Sequence, residues 1–216
     1  MPVKHVARLV ALTFACLAVF GAPARGQAAP ASVKIVVLGD SLSAGFGLPA
    51  QDAFPAKLDA ALKRKGVIAT IVNAGVSGDT SSGGLERLDW SVPDGTDTVI
   101  LELGANDMLR GVDPAVTRKS LDTILAKLKA RNIAVLLCGM RAAPNMGPDY
   151  ARAFDGIYPA LASTHGVVFY PFFLEGVAAD RSLNQPDGLH PTAAGVDAIV
   201  ERILPKVEEL VGRVKK

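Results

Sequence analysis

Five short runs of apolar and β-branched residues, at 33–38, 68–72, 98–103, 133–138 and 167–170, alternate with stretches of helical apolar spacing. Each run is too short for a helix, and strands buried on both faces read as unbroken apolar sequence of this kind. Strands alternating with helices predict a three-layer α/β/α fold with right-handed crossovers over a parallel sheet. The expected order of the five strands is the flavodoxin-like 2-1-3-4-5, with residues 33–38 central. In that order the loops after the first three strands meet at the topological switch point, where open sheets bind ligands. All three are polar: Gly39-Asp40-Ser41-Leu42-Ser43, Asn73-Ala74-Gly75-Val76-Ser77-Gly78-Asp79-Thr80 and Gly104-Ala105-Asn106-Asp107.

The helices carry their own start and stop signals. Phe54, Leu58 and Leu62 recur at four-residue spacing, with Pro55 near the start and Gly66 past the end. Thr80 or Ser81 is placed to cap a short helix through Leu85 and Leu88. Asp113-Pro114 opens a helix whose apolar face is Leu121, Ile124, Leu125 and Leu128. A helix is expected over 149–164, and a last one from Pro191 past Val196, Ile199, Val200, Ile203, Val207 and Leu210, bent at Pro205. No linker divides the chain, so residues 25–216 read as one domain.

Residues 1–24 stand apart. Lys4 and Arg8 precede an apolar run from Leu9 to Ala22 that is too short to span a membrane, and small residues follow. This is the pattern of a secretory signal peptide, with cleavage after Ala24 or after Ala28, and it places the mature protein in the periplasm or outside the cell. Phe14 argues against lipid attachment at Cys16, because a lipobox needs a small residue there. Removal of residues 1–24 takes two cations and no acid, so the mature chain carries no formal net charge. No basic cluster with interleaved aromatics remains, which argues against nucleic acid. Only Cys138 survives processing, inside a strand pattern, and reads as a buried structural thiol.

Ser41, at the end of the central strand, is a nucleophile candidate that needs a base, itself oriented by a third group. The chain holds three histidines. His5 leaves with the signal peptide, and His165 at a helix end is explained by the helix dipole. His190 remains, with Asp187 three residues earlier in Asp187-Gly188-Leu189-His190, so a carboxylate can hold one imidazole nitrogen while the other faces Ser41. An oxyanion would need preorganised donors, and the backbone N–H groups of Ser41 and Gly78 with the side-chain amide of Asn106 are placed to converge. No His, Cys and acid cluster has metal-ligand spacing, so no metal and no cofactor are expected.

These four motifs, in this order, resemble those of the GDSL (SGNH) hydrolases, and the similarity runs to the bacterial thioesterase I, lysophospholipase L1 and arylesterase branch. The resemblance implies Ser41 as nucleophile, His190 as base, Asp187 as its orienter, and Ser41, Gly78 and Asn106 as oxyanion hole. Ala105 stands where many relatives have Gly. The implied activity is serine esterase chemistry on carboxylic esters and acyl thioesters through an acyl-enzyme. A carbohydrate acetylesterase of the same family is the alternative, and a lipid-binding protein without catalysis a more distant one. Met108, Leu109, Met140, Ala142 and Phe172 are candidates for an apolar substrate wall, or else cap the core. The chain is expected to act as a monomer on a small-molecule ester or lipid, touching a membrane surface at most transiently.

Two other readings fail on the motifs. Gly45-Phe46-Gly47-Leu48-Pro49-Ala50 is a loose dinucleotide fingerprint, but it lies six residues beyond the strand, contains a proline, and no acid closes the second strand. Ser43 occupies the second glycine position of the G-x-S-x-G elbow, which excludes an α/β-hydrolase.

Overall fold

The structure, a computed structural model, describes Met1 and residues 32–214; the rest of the expected signal peptide lies outside the described residues. In chain order the elements are β1 (Val33–Gly39), α1 (Ser41–Ala44), α2 (Phe54–Arg64), β2 (Ala69–Gly75), α3 (Ser81–Glu86), α4 (Leu88–Ser91), β3 (Thr98–Glu102), α5 (Ala105–Leu109), α6 (Pro114–Ala130), β4 (Ala134–Cys138), α7 (Pro148–Asp155), α8 (Ile157–His165), β5 (Val168–Tyr170) and α9 (Ala193–Gly212). The strands form one parallel sheet in the order β2-β1-β3-β4-β5, as the alternating pattern predicts. Helices α2 and α9 pack together on one face and α3, α6 and α8 on the other. Among the described residues no helix is long and apolar enough to cross a membrane.

The apolar stripes read from the spacing are the buried faces. Phe54, Leu58 and Leu62 of α2, Leu121, Ile124, Leu125 and Leu128 of α6, and Ile199, Ile203, Val207 and Leu210 of α9 are all at most 1% exposed. They close over β1 and β3, whose residues are almost all buried. Thr80 rather than Ser81 caps α3, accepting from Gly83 N–H, and Asp113 caps α6 through Ala115 N–H.

Three elements depart from the sequence reading. β2 runs to Gly75, three residues into the expected loop, because its edge position lets Asn73 and Gly75 pair with β1 while one side stays open. The helix expected over 149–164 is two helices, α7 and α8. Pro159 lacks the N–H that would bond the Asp155 carbonyl, and its ring crowds that carbonyl, so the ladder breaks there. The last helix starts at Ala193, where the Thr192 hydroxyl accepts from Gly195 N–H, and continues through Pro205.

At the carboxyl edge, the register sets Gly75, Gly39, Glu102, Cys138 and Tyr170 side by side across the sheet. The two glycines are what allows α1 to sit directly on the strand ends. A Cβ on Gly75 would lie 2.4 Å from Ala44 N, and one on Gly39 would lie 2.2 Å from Ser43 Oγ and 2.6 Å from Glu102 Oε2.

Beneath that turn two carboxyls are buried side by side. Asp40 and Glu102 are both 0% exposed; Glu102 Oε2 accepts from Ser43 Oγ at 2.7 Å and from Asp40 N–H at 3.3 Å. Burial pushes the Glu102 carboxyl well up, and the charge of Asp40 pushes it further. Burial also pushes Asp40 up, to about 6, against the lowering effect of hydrogen bonds from Leu42 N–H and Asn106. The Cys138 thiol, on the next rung, is free, buried and pushed up by burial, which fits the structural role read from its strand pattern.

Two predictions follow from this edge. Gly39→Ala forces Ser43 and Glu102 to move and costs about 1–3 kcal/mol, the range for overpacking, read from the urea midpoint at unchanged slope. Asp40 binds its proton more tightly in the fold than in the unfolded chain, where its pKa is 3.8. Its contribution is therefore fully present below pH 3.8 and is lost as the pH rises through about 6. Between pH 3.5 and pH 7 the parent loses on the order of 3 kcal/mol that Asp40→Asn, with no proton to release, does not lose, as urea unfolding at each pH will measure.

Candidate active site

Ser41 is the first residue of α1, on the turn that closes β1. Asp40 fixes that turn by accepting from Leu42 N–H at 2.9 Å, and Ala44 N–H returns to the Asp40 carbonyl at 2.9 Å. The backbone N–H of Ser41 donates to no other group among the described residues, as expected at the first turn of a helix.

His190 meets Ser41 across 149 positions of sequence, with Nε2 2.9 Å from Ser41 Oγ. Its Nδ1 lies 2.7 Å from Asp187 Oδ2. The carboxylate does more than orient the ring: its other oxygen accepts from the backbone N–H groups of Leu189 at 2.9 Å and His190 at 3.0 Å. These bonds, led by those from His190, hold the Asp187 carboxyl down to about 2. Asp187 is therefore a carboxylate throughout the range in which a histidine changes charge. A permanently ionised neighbour at Nδ1 keeps that proton in place and leaves Nε2 as the acceptor facing the hydroxyl.

Gly78 and Asn106 lie on the segments next to the Ser41 turn. Gly78 adopts φ +86°, a left-handed conformation that glycine takes without strain, and its N–H donates to no other group among the described residues. The Arg110 guanidinium holds the Gly78 carbonyl at 2.7 Å. Asn106 Nδ2 donates to the Asp79 carbonyl at 2.9 Å and to Asp40 Oδ2 at 3.1 Å. An oxyanion would compete for one of these two hydrogens, and the longer bond to Asp40 is the easier to give up.

Two residues that set this geometry carry no sign of that role in the sequence. Arg87, 6% exposed, donates to the Gly39 carbonyl at 2.8 Å and the Ala74 carbonyl at 2.7 Å and pairs with Asp79, so one cation ties the ends of β1 and β2 to the Gly78 loop. Asp107, fully buried, accepts from Ser81 N–H and the hydroxyls of Ser81 and Thr117, fixing the residue next to Asn106. Asp107 lies inside the motif that ends the third strand, whereas Arg87 lies outside every motif.

The proposed wall residues divide. Leu109 is 49% exposed, and Met108, Ala142 and Phe172 are half-buried; Arg141 stacks on the Phe172 ring at 4.8 Å. Met140 is 3% exposed and belongs to the core, so it packs beneath the wall and offers no surface of its own. Phe46, Val76 and Leu189, which the sequence reading passed over, are exposed in the loops carrying the site residues. His165 pairs with Asp122 at 2.6 Å on the far edge of the sheet. A cavity of about 630 Å³ between α2 and α9 is lined by Lys57, Arg64, Asp197 and Glu201 among others, and does not include Ser41. Among the described residues no group of three or more His, Cys, Asp or Glu side chains is set to hold a metal ion.

A serine in contact with a carboxylate-held imidazole, beside free N–H donors, is an arrangement suited to acyl transfer. The chain is similar in sequence and in fold to known proteins. Residues 37–198 match the GDSL-like Lipase/Acylhydrolase family. The chain is 40% identical over 185 residues to an arylesterase of Vibrio mimicus, covering 85% of this chain and 91% of that protein. It is 39% identical over 184 residues to thioesterase 1/protease 1/lysophospholipase L1 of Escherichia coli K12, covering 85% and 87%. The crystal structure of TesA, 39% identical, superposes with a TM-score of 0.78 over 82% of this chain and 99% of its own. The chain belongs to the GDSL-like lipase/acylhydrolase family and is an ester-bond hydrolase.

Proposed function

We propose that the protein hydrolyses carboxylic esters and acyl thioesters through an acyl-enzyme on Ser41. Ser41 Oγ attacks the acyl carbonyl carbon as His190 Nε2 takes the hydroxyl proton, and Asp187 stabilises the imidazolium that forms. The carbonyl oxygen, now an oxyanion, is held by the N–H groups of Ser41 and Gly78 and by Asn106 Nδ2. On collapse the alcohol or thiol leaves with the proton from His190. A water then attacks the acyl-serine as His190 takes one of its protons; on collapse His190 returns that proton to Ser41 Oγ, which leaves as the free hydroxyl with release of the carboxylic acid. The observation that carries this reading is the continuous line Ser41 Oγ, His190 Nε2, His190 Nδ1 and Asp187 Oδ2, with links of 2.9 and 2.7 Å.

Single-chain esters and lysophospholipids suit the site better than bulky polymers do. The support is the exposed apolar side chains of Phe46, Val76, Leu109 and Leu189 around the nucleophile, which offer an acyl chain an open surface. The protein acts as a monomer, outside the cytoplasm once residues 1–24 or 1–28 are removed, and meets membranes only through its substrate. Mass spectrometry of the mature chain, and light scattering of the purified protein, check both statements; an intact amino terminus after export, or a stable dimer, contradicts them.

The mechanism is tested with a panel of p-nitrophenyl esters, palmitoyl-CoA, lysophosphatidylcholine and acetylated xylan. Ser41→Ala loses turnover on every substrate, and activity retained by that variant refutes the mechanism. Asn106→Ala lowers kcat by about 10²–10³-fold, the scale for one oxyanion donor. Medium-chain esters are accepted at least as well as acetyl esters; a rate that falls steadily from acetyl to octanoyl excludes an acyl-chain surface. Activity confined to the acetylated xylan favours the acetylesterase alternative.

A further inference from the structure

The base stands on a hairpin with few ties to the nucleophile. Residues 183–192 fold back on themselves: Thr192 N–H donates to the Leu183 carbonyl at 2.8 Å, Gln185 N–H to the His190 carbonyl at 2.7 Å, and Gly188 N–H to the Gln185 carbonyl at 2.9 Å. Asn184 and Pro191 complete the pairing, and Asn184 roots the hairpin by donating to the carbonyls of Val177 and Asp180. These bonds fix the shape of the hairpin and none of them reaches the loop after Ser41.

Two hydrogen bonds cross that gap among the described residues. One is His190 Nε2 to Ser41 Oγ, the reacting pair itself. The other is Gln185 Nε2 donating to the Phe46 carbonyl at 2.8 Å, 139 positions apart. The same amide nitrogen donates to the Pro191 carbonyl at 2.9 Å, so both its hydrogens are committed and the orientation of the amide is settled by two carbonyl acceptors. Phe46 is in turn tied to the nucleophile, its N–H donating to the Ser41 carbonyl at 3.1 Å. Its ring lies over the imidazole of His190, centroids 4.5 Å apart and tilted by 34°. Gly47 makes room for the amide: with φ +72°, a Cβ there would lie 2.3 Å from Gln185 Oε1.

We propose that Gln185 and Phe46 are positioning residues for the base: the Gln185 amide bolts the His190 hairpin to the loop that follows Ser41, and the Phe46 ring seats the imidazole. The chain of bonds runs from the Ser41 carbonyl to Phe46, from the Phe46 carbonyl to Gln185, and from Gln185 N–H to the His190 carbonyl. No link of this chain is the reacting pair, so it sets the separation of Oγ and Nε2 without relying on the bond that the reaction itself remakes at every turnover. The aromatic face also suits the imidazolium that forms when His190 holds the proton, since a cation within about 6 Å of a ring centroid is attracted to it. Aliphatic bulk at position 46 could fill the space but not supply that attraction.

This inference rests on the acyl-enzyme reading above, and its test separates the two. Gln185→Ala and the near-isosteric Gln185→Glu, which turns a carboxylate oxygen toward two carbonyls, are compared with the parent on p-nitrophenyl butyrate. Both lower kcat roughly 10- to 100-fold, the scale for a small misplacement of reacting groups, and leave KM within about twofold. The rate of Ser41 phosphonylation by a p-nitrophenyl phosphonate falls by the same factor, because it uses the same attack without an acyl chain. The bond is on the surface, so the thermal midpoint moves by no more than ~2–4 °C. Gly47→Ala reaches the same amide from the other side and lowers kcat likewise, while Phe46→Ala lowers kcat and Phe46→Tyr restores it. Parent kcat in both Gln185 variants overturns the proposal, as does a loss confined to KM or one matched by a loss of folded protein. If Ser41→Ala is inactive while Gln185→Ala keeps parent turnover, only the clamp fails; if Ser41→Ala is active, the acyl-enzyme reading fails first.

Discussion

The absence of side chains at two adjacent strand ends is the constraint on which the rest of this structure depends. Gly39 and Gly75 lie side by side where β1 and β2 finish, and α1 rests on them. A side chain at Gly75 would press on the α1 backbone at Ala44 and on the Asp40 carbonyl, and one at Gly39 would displace the Ser43 and Glu102 side chains. The parallel sheet brings the polar loops to one edge, but the glycines allow the nucleophile to sit low enough for those loops to surround it. The turn that carries Ser41 is thereby seated on the buried sheet below it.

The floor of the site is polar, which is costly unless each group finds a partner. Arg87 neutralises the carbonyl ends of two strands, Asp107 collects hydroxyl and N–H donors, and Asp40 serves both the α1 turn and Asn106. Glu102 is the exception. One of its oxygens has no partner among the described residues, and with burial driving its carboxyl up, a neutral acid is the species that this environment tolerates. A neutral Glu102 also spares Asp40 a second negative charge beside a place where an oxyanion would form. Burial thus pushes the Asp40 and Glu102 carboxyls up, while Asp187, nearer solvent and surrounded by N–H donors, is held down.

The strands, their order and the buried faces of α2, α6 and α9 were legible because burial imposes period and length on the sequence. That Asp187, His190 and Ser41 would come into contact was legible by a different route, since few histidines were available and chemistry limits what can activate a serine. The break at Gly156 was written in Pro159, but its effect depends on which carbonyl the missing N–H would have served. The extension of β2 was hidden because pairing with β1, not the composition of β2, keeps Asn73 to Gly75 extended. Arg87 and Asp107 were illegible as site residues, because an arginine in a turn or an aspartate on a helix has the same local signature whether it faces solvent or a strand end. Met140 shows the converse: an apolar residue in a loop looks available until the packing around it is known.

By itself, then, the sequence determined the strand and helix alternation, and with it the edge of the sheet on which chemistry is possible. It also limited the nucleophile and base to residues whose reactivity depends on covalent structure and elementary acid–base properties. Only the tertiary structure decided how His190 is held to Ser41. The Gln185 amide, the Phe46 ring and the Gly47 backbone come together from segments 139 residues apart. The physical reason is that periodicity records how each residue relates to its own element, while hydrogen bonds between loops depend on where two elements end in space.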